Sequence, residues 1–99
     1  MQLITKVLAE LFGSFIFFTC VMMSSDISNH TVSAIVSVVG LLTAIVAFGK
    51  ISGGHFNSSI SIMKYLNGDI NILTLFSYIF AQIIGAILAL IWWKFSNKN

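Results

Sequence analysis

The chain has 99 residues, 58% of them hydrophobic and 8% charged, with no proline and a mean hydropathy of +0.99. A soluble domain carries about a quarter charged residues and a disordered segment is poor in apolar side chains, so both classes are excluded. An integral, multi-pass membrane protein remains. Its single cysteine, Cys20, excludes a disulfide scaffold, and no Cys/His grouping has zinc spacing. The net charge of +2 comes from scattered lysines with no arginine, which makes no basic patch for nucleic acid.

A bilayer core about 30 Å thick needs about 20 apolar residues of helix. Residues 7–23 form the first such segment, preceded by Lys6 and interrupted by Glu10. No small-residue cleavage site follows it, which predicts a retained helix rather than a signal peptide. An ionisable side chain inside a span is a functional candidate by default. Residues 31–48 form a second, uncharged segment, joined to the first by a short polar turn. Residues 70–93 form the third, ending in Trp92 and Trp93 beside Lys94, a pattern suited to the headgroup level. Ala9 and Gly13, and likewise Ala81, Gly85 and Ala89, recur at a spacing that lets membrane helices approach closely.

The connection over residues 49–67 is too long to be a simple turn, and loops of this kind in small proteins carry function. Gly53 and Gly54 permit unusual backbone angles, and Asn57 is a strong helix cap. The spacing predicts a helix starting there and stopping near Asn67-Gly68. Ten residues make about 15 Å of helix, half a membrane. Two readings fit. In one, the segment lies on the membrane surface with Asn57 as an ordinary cap. In the other it dips in, and the carbonyls of Gly53, Gly54, His55 and Phe56 and the positive end of the half-helix face a pathway. Such an end repels cations while neutral polar molecules exchange hydrogen bonds with Asn57.

Three motifs carry a resemblance. Ala9-Glu10-Leu11-Phe12-Gly13-Ser14-Phe15, Ile51-Ser52-Gly53-Gly54-His55-Phe56-Asn57 and Tyr78-Ile79-Phe80-Ala81-Gln82-Ile83-Ile84-Gly85-Ala86 are similar, in order and spacing, to A-E-F-x-G-T-F, S-G-x-H-x-N-P-A and Y-x-x-A-Q-x-x-G-A of the aquaporins and aquaglyceroporins, the major intrinsic protein family. The chain resembles one half of that fold: all-α, with three membrane-spanning helices and one re-entrant half-helix. The resemblance implies a passive channel for water or small neutral solutes such as glycerol, without enzymatic activity or cofactor. It also implies a second, inverted repeat, expected here from an antiparallel second copy, with four such pores grouped as eight chains. In this picture Gly53, Gly54, His55, Phe56, Asn57, Ser58 and Ser59 line the pore. Glu10 and Gln82 are polar structural residues, and the small-residue stripes touch the other repeat.

The chain departs from the family in two places. Ser58 and Ser59 replace Pro and Ala of the Asn-Pro-Ala motif, yet proline at the first helical position is favourable rather than required. The filter arginine is absent: its equivalent is Ile60, and the bulky second-helix position of the filter falls on Ser37. Both changes imply a wider, less polar mouth. The alternatives are a half-channel that associates with a full-length channel, and a dual-topology, proton-coupled exporter working through Glu10.

Overall fold

The computed structural model describes residues 1–98. Four helices follow one another: α1 (Leu3–Ser24), α2 (His30–Ser52), α3 (Ser58–Leu66) and α4 (Ile72–Ser96), with no strand among the described residues. Three of them begin on an asparagine cap. Asn29 accepts from the Val32 N–H at 3.0 Å, Asn57 from Ser59 at 2.8 Å and Asn71 from Thr74 at 2.8 Å. Each cap satisfies one of the donors that a helix start leaves unpaired. Helices α1, α2 and α4 are long and apolar enough to cross a membrane.

Helices α1 and α2 extend beyond the spans expected from hydropathy, α1 back to Leu3 and α2 past Gly49 and Lys50 to Ser52, while α4 starts at Ile72 and runs on to Ser96. A lone glycine costs a helix only about 1 kcal/mol, so Gly49 does not end it. Termination waits for Gly53, whose left-handed φ of 94° turns the chain while its N–H closes on the Gly49 carbonyl at 2.8 Å. The half-helix α3 ends at Leu66, before Gly68 at φ 82°.

Helix α1 lies between α2 and α4, and α3 packs on α4. Small residues pack the interior: Ala9, Gly13, Ala81, Gly85 and Ala89 are all buried within the chain, Gly85 against α1 and Gly13 against the Phe56 ring. A Cβ on Gly85 would stand 2.9 Å from the Leu11 carbonyl oxygen and 3.0 Å from the Phe15 nitrogen. This corrects the expectation that these stripes touch a second repeat. Their smallness is used up inside one repeat, where Gly85 meets the backbone of α1 and Gly13 meets a ring.

The interior is unusually polar. Glu10, Ser14, Ser61 and Gln82 are as fully enclosed as Phe56 and Tyr78, while Phe12, Phe76, Phe80, Ile83 and Ile87 face outward. That inversion suits a chain whose surroundings are lipid, where apolar surface needs no burial and polar groups need partners.

Candidate functional site

Glu10, on the second turn of α1, has no exposed surface, and each of its oxygens accepts two hydrogen bonds. The Ser52 hydroxyl (2.6 Å) and the His55 N–H (3.1 Å) donate to Oε2. The Phe56 N–H (2.8 Å) and Gln82 Nε2 (2.9 Å) donate to Oε1. A buried carboxylate is costly unless its acceptor sites are filled, and here they are filled from α2, the loop and α4. Gln82 also donates to Ser61 Oγ at 2.9 Å and accepts from the Ser58 hydroxyl at 3.1 Å. Ser61 Oγ lies 2.8 Å from His55 Nδ1, and the Tyr78 hydroxyl donates to the Ser52 carbonyl at 2.6 Å. The network binds the loop to three helices.

Within this frame the loop takes a rare path. Gly53, Gly54 and Phe56 all have left-handed φ, at 94°, 68° and 54°. Glycine accepts such angles freely, whereas phenylalanine must be held there. What holds Phe56 is its N–H on Glu10 and its ring, wholly buried against Gly13, where a Cβ would fall 2.0 Å from the ring. Among the described residues, no backbone N–H bonds the carbonyls of Gly53, Gly54, His55 or Phe56.

At the start of α3, Asn57 is exposed, and its Oδ1 serves Ser59 while Nδ2 has no partner within the described chain. Asn57 and Ser58 line an open hollow of about 240 Å³ with Phe18 of α1 and Gln82, Ile83 and Ala86 of α4. Ile83 and Ala86 sit in the middle of α4, so Asn57 is level with the centre of a spanning helix. A second hollow of about 630 Å³ opens beside the N-terminal end of α1, lined by Lys6, Gly53, His55, Lys64 and Tyr78 among others. The loop lies between the two.

The site residues expected from sequence divide accordingly. Gly53, Gly54, Asn57, Ser58 and Ser59 reach a surface. The Phe56 ring is wholly buried and lines neither hollow, whereas His55, 4% exposed and edge-on to Tyr78, borders the larger one. For Phe56 only the backbone is left to face a pathway. Ile60 is half-buried on the first turn of α3. Ser37 donates its hydroxyl to Ser24 Oγ at 2.9 Å, as a small polar side chain in a span finds the nearest acceptor. Ser52, Ser61 and Tyr78 were not expected at the site. Ser52 and Tyr78 stand inside the quoted motifs without a role attached, and Ser61 offers only its polarity on a short helix. Among the described residues, no cluster of three His, Cys, Asp or Glu side chains is placed to hold a metal.

The chain is 40% identical over 86 residues to glycerol uptake facilitator protein-like 6 of Lactiplantibacillus plantarum, covering 85% of this chain and 40% of that protein. It is 45% identical over 49 residues to aquaporin Z of Photorhabdus laumondii (50% of this chain, 21% of the relative). It is 30% identical over 70 residues to aquaporin TIP1-1 of Arabidopsis thaliana (71% and 28%). The chain thus spans well under half the length of these relatives. No solved structure matches it. The family model described as major intrinsic protein, a family of membrane channels rather than enzymes, matches residues 1–99. By sequence and by its three spanning helices, the chain is an integral membrane protein that belongs to the major intrinsic protein family.

Proposed function

We propose that this repeat supplies half of a passive, bidirectional pore for water or small neutral solutes such as glycerol, and that an inverted second copy supplies the other half. One observation carries the reading. Asn57 Nδ2, at the level of the middle of α4, and the four loop carbonyls that lead to it are all without partners in the described chain. Unsatisfied backbone at that depth is tolerated only against protein or water, and a line of such groups is what a neutral hydrogen-bonding solute needs to replace its hydration. The positive end of α3 points the same way and disfavours cations.

The lysines are nearly balanced between the two ends of the bundle. Lys6, Lys50 and Lys64 lie at one end and Lys94 and Lys98 at the other, a weak orientation signal that suits insertion both ways. The chain has no arginine, and Ile60 stands where the family's filter would place one, so the mouth favours glycerol-like solutes over strict water selectivity. Glu10 supports a channel over proton-coupled export, since both its oxygens are taken and it is wholly enclosed.

Stopped-flow swelling of proteoliposomes holding the purified chain tests the proposal. Water or glycerol permeability above protein-free vesicles is expected. Silence across protein densities, with the chain inserted, favours a half-channel that works only beside a full-length partner. Labelling of single cysteines placed in the two termini is expected to show both orientations, and a wholly parallel population overturns the inverted pair.

A further inference from the structure

The half-helix begins with serine where its resemblance would place proline, and that serine has a specific partner. Ser58 is the first residue of α3, and its part-buried hydroxyl donates to Gln82 Oε1 at 3.1 Å. Gln82 is itself immobilised: its amide nitrogen donates both to Glu10 Oε1 and to Ser61 Oγ at 2.9 Å. These two bonds orient the amide and leave its oxygen aimed at Ser58. Proline at this position would stiffen the helix start by fixing φ and would carry no hydroxyl. Serine leaves φ free, so the start of α3 needs another restraint.

We infer that Ser58 is a positioning residue, which ties the N-terminal end of α3 to α4 through Gln82 and thereby sets where Asn57 presents its amide. The other attachments of α3 lie elsewhere. Ser61 binds Gln82 and His55 one turn further along, and Asn57 caps Ser59 within the helix itself. Ser58 is therefore the one side-chain hydroxyl among the described residues that links the first residue of α3 to a spanning helix. The link to Asn57 as a solute contact rests on the pore reading above, while the tie itself does not.

The test separates the two. Hydrogen exchange on the full chain in lipid vesicles is measured for wild type, Ser58→Ala and Ser58→Thr at the amides of Ser59, Ile60 and Ser61. Loss of one side-chain hydrogen bond is expected to speed exchange there by about fivefold in Ser58→Ala, with Ser58→Thr, which keeps the hydroxyl, close to wild type. Unchanged exchange in Ser58→Ala, or equal acceleration in both variants, overturns the tie. In the same vesicles the glycerol-to-water permeability ratio is expected to shift in Ser58→Ala and return in Ser58→Thr. A wild type that conducts nothing fails the pore reading and leaves the exchange result to decide the tie. Conduction with altered exchange and an unaltered ratio overturns the role of Ser58 in presenting Asn57.

Discussion

Gln82 Nε2 meets Glu10 Oε1 at 2.9 Å, joining α4 to α1 between two side chains that are both buried. The same carboxylate receives the Ser52 hydroxyl and the N–H groups of His55 and Phe56. One acid thus holds two spanning helices and the loop whose backbone the proposed pore uses. Every donor around it points inward, so the site is built for an acceptor with two equivalent oxygens.

Glu10→Gln keeps the shape and replaces one of those oxygens with an amide that donates. Two of the four surrounding donors then lack an acceptor. Each buried orphan costs about 1–3 kcal/mol, so a loss of roughly 2–6 kcal/mol is expected. Thermal unfolding in detergent micelles checks this, and a midpoint equal to that of wild type contradicts the hub role of Glu10.

Gly13 and Gly85 are both too crowded for a Cβ, but against different neighbours. At Gly13 the clash is with the Phe56 ring; at Gly85 it is with the backbone of Leu11 and Phe15 and the Cβ of Ser14. Overpacking costs about 1–3 kcal/mol. Gly13→Ala is expected to lose that much and to recover part of it when combined with Phe56→Leu. Gly85→Ala is expected to gain nothing from Phe56→Leu, because what must move there is α1 itself. Unfolding midpoints of the four variants decide it.

The three spans, the Asn57 cap and the stop at Asn67-Gly68 were legible because each depends on local rules: hydropathy over a helix length, a capping side chain, a glycine past the end. The end of α2 was not, since Gly49 marks a boundary only weakly and the deciding φ belongs to Gly53. The orientation of Phe56 was not either. A phenylalanine at φ 54° is chosen by Gly13 across the fold and by Glu10, neither of them near in sequence. The small-residue stripes were visible as contact surfaces, but spacing alone does not say whether the facing helix belongs to the same repeat. Ser37 likewise has its partner, Ser24, on another helix.

Left-handed glycines give a graded comparison. At Gly68, φ 82°, an added Cβ would meet nothing within 4 Å, so Gly68→Ala is expected to cost only the backbone term, about 1–2 kcal/mol. Gly54, at φ 68°, adds contacts of 3.3 Å to the Gly49 Cα and 3.5 Å to the Phe56 ring. Gly54→Ala is therefore expected to be the more damaging of the two. A larger drop in unfolding midpoint for Gly68→Ala contradicts the tight approach of the loop to α2.

Asn57 has two separable roles, and two substitutions divide them. Its Oδ1 caps α3 at the Ser59 N–H, while Nδ2 is free for a solute. Asn57→Asp keeps the capping oxygen, and its charge sits favourably at a helix N-terminus, so stability is expected to hold or rise by a few tenths of a kcal/mol. Flux of water and glycerol is nonetheless expected to fall several-fold, because the donor is gone and a charge stands at the level of the bilayer centre. Asn57→Leu removes cap and donor together, and is expected to lose about 1 kcal/mol of stability as well as flux. Measuring both permeability and unfolding for each variant distinguishes a pathway residue from a cap. Wild-type flux from Asn57→Asp with an intact fold assigns Asn57 to capping alone and removes it from the pore.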